Sequence, residues 1–242
     1  MTKNQHKIES LIADLGSKDG SVRLKARKSL VAIGEAAVVP LVEALADEKE
    51  WVRLEVAKAL GEINVPWGRH ANKATISTLI ADLGSKDGIV RVRARKSLVA
   101  IGKPSVGPLV EALASKKELV RWEAAKAIGQ VDDPKATQAL VKALEDDMFD
   151  VRWLAAEALI IIGKEALVPL LQALTQHSDS LWLREGAHHM FHDLADGKNL
   201  EVLRPVLTAL EDVEPSVEVP LAANTVLKAL TKGSSTLDTD TN

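Results

Sequence analysis

The chain contains no cysteine. That excludes a disulfide-stapled scaffold, a thiol nucleophile and any cysteine-ligated zinc or iron–sulfur centre. Tyrosine is absent too, and aromatics reach only 3% of the 242 residues, as five tryptophans and two phenylalanines. Neither sign of charge dominates: 31 lysines and arginines stand against 34 aspartates and glutamates, a formal net charge of −3. With a pI near 6.1, this balance argues against a general nucleic-acid or membrane-surface binder, although local patches can still act. No apolar run approaches the ~18 residues of a membrane span, and the polar start MTKNQHKIES carries no apolar signal core. A soluble cytoplasmic protein is expected.

What the chain does have is repetition. LIADLGSKDGSVRLKARKSLVAIG at 11–34 returns as LIADLGSKDGIVRVRARKSLVAIG at 79–102. About 38 of 54 positions from Ser10 to Ile63 are identical at this offset of 68, which reads as a tandem duplication. A shorter unit of roughly 30 residues lies inside it, with the signature V-R-x-x-A-x-x-x-L-x-x-I-G. It begins at Val22-Arg23, Val52-Arg53, Val90-Arg91, Val120-Arg121 and Val151-Arg152, then degenerately at Leu183-Arg184. A last copy without the arginine runs from about Val217 to Leu230.

Each copy reads as two helices. The first places Val38, Leu41, Val42 and Leu45 at helical spacing, with a proline (Pro40, Pro108, Pro169, Pro205) early, where a missing N–H costs least. The second places Val22, Ala26, Leu30 and Ile33 on one face and stops at Gly34. One hairpin cannot bury its apolar face alone, but stacked hairpins cover one another, so a one-dimensional array of seven pairs is expected. An insertion at 64–73 (NVPWGRHANK) is expected to project as a loop, and the tail 233–242 lacks periodicity and is expected to be disordered.

The pattern D-x-x-V-R-x-x-A-x-x-A-L-x-x-I-G over about residues 8–231 resembles HEAT repeats, specifically the short phycobilin lyase-type (PBS lyase HEAT-like) form. The resemblance implies an all-α fold, a right-handed α-α superhelix (HEAT-repeat solenoid) formed as one domain over 1–232. It also implies that the Val-Arg arginines Arg23, Arg53, Arg91, Arg121 and Arg152 hold the stack together, and that the second helices line a concave face. It does not single out a function, because one repeat type serves many.

Helical geometry then maps the exposed face of the second helices. Two residues before the arginine stand Ser21, Trp51, Ile89, Leu119, Asp150 and Trp182; one after it stand Leu24, Leu54, Val92, Trp122, Trp153 and Glu185. Exposed apolar surface of this kind marks a binding site, and tryptophan is frequent at interface hot spots; the alternative is that the rings cover gaps between repeats. Trp122 and Trp153 occupy equivalent places in adjacent repeats and are expected side by side. Lys28, Lys58, Lys96 and Lys126 form a row five residues after the arginine, reversing sign at Glu157. Such a row suits an acidic partner segment, or it is an ordinary solvated face in which Glu55 and Glu123 pair with Lys58 and Lys126.

His188 and His192, four apart on one helix, are the weak candidates for a metal site; no metal and no cofactor is expected. No nucleophile–base constellation or phosphate loop stands out. The leading reading is a non-enzymatic scaffold that binds a protein or peptide partner through Trp51, Trp122, Trp153, Trp182, Leu54, Val92 and the lysine row. A phycobilin lyase-like or phycobilisome-processing subunit is the second reading, carried by the resemblance alone. A nucleic-acid binder using the lysine row is the third, disfavoured by overall acidity.

Overall fold

The computed structural model describes residues 3–63, 65–195 and 197–235. Among them are fourteen α-helices and no strand. They are α1 (Lys3–Leu15), α2 (Gly20–Ile33), α3 (Val38–Ala44), α4 (Glu50–Ile63), α5 (Lys73–Asp82), α6 (Gly88–Ile101) and α7 (Val106–Ala112). After them come α8 (Glu118–Val131), α9 (Thr137–Ala143), α10 (Phe149–Ile162), α11 (Leu167–Gln176), α12 (Leu181–Leu194), α13 (Gly197–Leu210) and α14 (Pro215–Ser235). The fold is the all-α helical-repeat class read from the sequence. None of the described helices is long and apolar enough to cross a membrane.

The helices form two compact units, residues 1–127 and 128–242. In the first, consecutive second helices pack on one another, α2 on α4 and α4 on α6, as do first helices, α1 on α3 and α5 on α7. Leu15, Leu30, Leu41, Leu45, Leu60, Leu83, Leu98 and Leu109 are fully buried between these layers. Local signals set the element ends. Asp19 and Asp87, 68 apart, cap α2 and α6 by accepting from the Ser21 and Ile89 amides, each at 2.7 Å. Gly34 and Gly102 end the same helices at φ of +70° and +73°, a conformation that only glycine adopts cheaply.

The insertion does not project. Trp67 is buried, and Gly68 lies so close to the end of α6 that a Cβ there would stand 2.1 Å from the Ala100 carbonyl oxygen. Hydrophobic burial of one indole outweighs the loop character that Pro66 and Gly68 suggest. Asn64 lies outside the described residues. The insertion falls within the first unit, where α4 still packs on α6 across it.

In the second unit α9 packs on α11 and α10 on α12, but the last pair changes layers. α13 lies against α12, and α14 lies against α11 and α13. The Val217–Leu230 segment, read from sequence as a second helix, therefore stands beside a first helix. Short 3₁₀ turns follow α2, α4, α6, α8 and α10 and lead the chain into the next first helix; after α12 the described residues contain none. Ser178 fixes the start of α14 by donating to the Ser216 carbonyl at 2.9 Å. Pro205 sits inside α13 rather than near its start. α14 continues to Ser235, and the rest of the expected tail, 236–242, lies outside the described residues.

Candidate functional site

The site is built on α10 and α12. Asp146 accepts from the Met148 amide at 2.9 Å ahead of α10, and Ser180 caps α12 by accepting from Leu183 at 3.3 Å. Val151, Ala155, Ala158 and Leu159 bury one face of α10; Leu183, Ala187, Met190 and Phe191 bury one face of α12. These interiors leave Phe149, Arg152, Trp153, Trp182, Glu185 and His189 around a cleft of about 130 Å³, with Ala156 and Gly186 also in its lining. Gly186 packs tightly there: a Cβ would meet the Leu144 side chain at 2.8 Å, so a larger residue would force that side chain to shift.

The cleft walls are stacked rings. Phe149 lies one helical turn before Trp153, with centroids 6.3 Å apart. The other partner of Trp153 comes from α12: His189 stacks on it at 4.8 Å and 22°. The far nitrogen of that imidazole hydrogen-bonds to Glu157 at 2.9 Å, so ring and carboxylate fix each other across the two helices. The Arg152 guanidinium lies 4.3 Å from the Trp182 ring centre and 5.7 Å from that of Phe149. It is anchored from behind by donating to the Asp146 and Asp147 carbonyls at 2.8 and 3.3 Å. Phe149, Trp153 and Trp182 remain 64%, 47% and 41% exposed. A volume of about 130 Å³ lies below the roughly 300–1,000 Å³ of small-molecule sites and suits one protruding side chain.

In the first unit the expected residues are not gathered into one cleft. Trp51 is exposed, with the Lys49 ammonium 5.9 Å from its ring centre. Leu54 is half-buried and Val92 exposed. Trp122 is half-buried beneath Lys126, whose ammonium lies 4.7 Å from the ring centre. Trp122 and Trp153 fall in different units. Lys28 and Lys96 are exposed, whereas Lys58 pairs with Glu55 at 2.7 Å. Glu123 does not pair with Lys126 as its spacing allows; it is buried between Arg95 at 2.9 Å and Arg91 at 3.7 Å.

The Val-Arg arginines each close their own hairpin. Arg23, Arg91, Arg121 and Arg152 donate to a carbonyl six residues earlier, on Ser17, Ser85, Ser115 and Asp146, at 2.8–3.0 Å. Arg53 does the same to Asp47 at 2.7 Å and adds a two-point contact to Asp82 of the next repeat. That carboxylate raises the Arg53 pKa further, with burial opposing it. Repeat-to-repeat ion pairing also uses residues the signature leaves variable: Arg27 meets Glu55 at 2.6 Å and, 68 residues on, Arg95 meets Glu123, which the signature arginine Arg91 approaches as well. Burial works to raise the Glu55 pKa, but hydrogen bonds from Lys58 and Arg27 outweigh it and hold the carboxyl below its ordinary range.

His188 turns to Glu211 at 3.1 Å, and its ring centre lies 6.2 Å from that of His192. Among the described residues no group of three or more His, Asp or Glu side chains is placed to hold a metal ion. Sequence reasoning missed Phe149, Arg152 as a ring partner, and the His189 stack. A signal existed: Glu157 and His189 occupy the same register position in consecutive repeats.

The chain was compared with known proteins. The HEAT-repeat family model matches residues 8–67 and 106–191. An uncharacterized phycocyanin operon protein Z of Pseudanabaena tenuis is 30% identical over 146 residues, 59% of this chain and 72% of that protein. Among solved structures, an engineered protein shares 23% identity at a TM-score of 0.45, covering 93% of this chain and 68% of that one. The complex of CpcE and CpcF of phycocyanin lyase from Nostoc sp. shares 22% identity at a TM-score of 0.43, covering 92% and 94%. With the repeat model matched over more than half its length, the chain belongs to the HEAT-repeat family.

Proposed function

We propose that this chain is a non-enzymatic, cytoplasmic interaction scaffold, and that the α10–α12 cleft anchors a side chain of a protein or peptide partner. The observation that carries this reading is the group of large rings left exposed around a side-chain-sized hollow. Burying such apolar surface drives association, and tryptophan and arginine are the residues most enriched at interface hot spots. In the first unit, Trp51, Val92, Leu54 and Trp122 would add apolar contacts of their own, with Lys28, Lys58, Lys96 and Lys126 flanking them. Arg23, Arg53, Arg91 and Arg121 serve the fold rather than the partner, while Arg152 closes its hairpin and also lines the cleft.

The test uses wild type and a Trp153→Ala/Trp182→Ala variant as baits in the source organism, with bound proteins quantified by mass spectrometry. A partner held by wild type and weakened about thirtyfold in the variant, or about 2 kcal/mol, is expected. Equal retention by both baits, with helical content unchanged, would refute the cleft as anchor. The phycocyanin operon relative favours a second reading, a phycobilin lyase-like or phycobilisome-processing subunit. Under it, added bilin should change its absorption spectrum in the presence of this chain and a partner subunit; an unchanged spectrum rejects it.

A further inference from the structure

The tandem duplication supplies an internal comparison. Grooves between consecutive first helices occur in both copies: α1–α3 holds about 430 Å³, and α5–α7 holds about 1,000 Å³. Their floors match at the offset of 68, Ile12 with Ile80, Gly16 with Gly84, Pro40 with Pro108 and Val52 with Val120. Their charged rims do not match. Gln5, Glu9, Asp47 and Glu48 of the first copy become Lys73, Ser77, Ser115 and Lys116 of the second. The insertion, which precedes only the second copy, also ends in this groove, where Ala71 and Lys73 line one end.

We infer that the α5–α7 groove docks a short acidic segment of a partner protein with an apolar centre. Lys73 stands at one end of the groove and Lys116 and Lys117 at the other, with Ile76, Ile80 and Val120 between them. The Lys117 ammonium lies 3.5 Å from where a Gly84 Cβ would be, which places its charge at the far end of α5. From Lys73 to Gly84 is about 16 Å at 1.5 Å per helical residue, a span covered by roughly five extended residues at 3.3 Å each. A segment with acidic groups at both ends of such a stretch meets ammonium groups at both ends of the groove, while its centre covers the isoleucines. Charge of this kind sets register and partner choice. Both grooves share one acid and one lysine on the lining, Glu43 and Lys49 in the first and Glu111 and Lys117 in the second. The α1–α3 groove adds Glu9 and Asp47 where the α5–α7 groove has Ser77 and Ser115 with Lys73 and Lys116, so its net charge is negative and it disfavours the same segment. This surface lies on the first helices and does not depend on the α10–α12 cleft.

The test exchanges one copy's rim for the other's. The variant Lys73→Gln/Ser77→Glu/Ser115→Asp/Lys116→Glu installs residues that the first copy already carries in the same fold. The probe is a fluorescein-labelled peptide, Asp-Glu-Leu-Leu-Glu-Asp, titrated by fluorescence anisotropy. Wild type should bind it with a Kd below about 1 mM, weakening as salt rises. The exchanged variant should lose at least about tenfold in affinity, and Lys96→Glu/Lys126→Glu and Trp153→Ala/Trp182→Ala should retain it. Absence of binding to wild type, equal binding to the exchanged variant, or loss confined to Lys96→Glu/Lys126→Glu would each overturn the inference.

Discussion

Glu55 and Glu123 are the same residue in the two copies, yet their surroundings predict different costs of removal. The Glu123 side chain is 2% exposed and meets Arg95, itself 9% exposed; Glu55 is 12% exposed and meets Arg27 at 19% and Lys58 at 28%. Taking one partner from a buried pair leaves a desolvated charge and costs about 3–5 kcal/mol. In the more open pair water re-solvates the arginine, so the loss falls to about 1–2 kcal/mol. At about 2–4 °C per kcal/mol for chains of this size, Glu123→Ala should lower the first unit's Tm by roughly 6–20 °C and Glu55→Ala by roughly 2–8 °C.

Both residues lie in the first unit, so circular dichroism and tryptophan fluorescence read one transition for both variants. A third variant, Arg95→Met/Glu123→Leu, should recover part of the loss, because apolar side chains of similar volume need no partner, while Arg91 keeps its hairpin anchor on the Ser85 carbonyl but loses Glu123. If Glu55→Ala costs as much as Glu123→Ala, or if the apolar pair is no better than the single change, then burial is not what separates the two copies.

Acid should reveal the Glu55 pair. Its folded pKa is depressed, so its contribution is full above the unfolded carboxyl pKa of about 4.3 and is lost as pH falls through the lower folded value. The stability gap between wild type and Glu55→Gln should therefore be present at neutral pH and close in strong acid; a gap independent of pH in denaturant titrations would contradict this. Gly61 and Gly68 should respond oppositely to alanine: helical Gly61 has open space around its Cβ position and should gain about 0.5–1 kcal/mol. Gly68→Ala should lose more than about 2 kcal/mol, since its Cβ would enter the α6 backbone; thermal melts showing both neutral would refute the docked insertion. Trp153→Ala should remove the His189 ring contact while leaving helical content intact, read as a changed near-ultraviolet dichroism against an unchanged far-ultraviolet signal.

Much of this architecture is encoded locally. The stop at Gly34 and the apolar spacing of Ala26 and Leu30 each act within one helix, so their repetition along the chain was enough to read hairpins, their number and their family. Periodicity also set the face most residues take: Trp51, Trp153 and Trp182 are exposed as read, whereas Trp122 and Leu54, read on the same face, are half-buried because neighbouring side chains cover them. It could not decide what each residue meets there. Whether Lys126 turns to Glu123 or over Trp122, whether Trp67 projects or is buried, and whether His189 stacks on Trp153 depend on neighbouring repeats and on the insertion's landing place. The reversal of layers at α13 and α14 is of the same kind: both helices carry helical spacing, but which older helix each one covers is settled by packing, since only the tertiary arrangement brings α14 against α11.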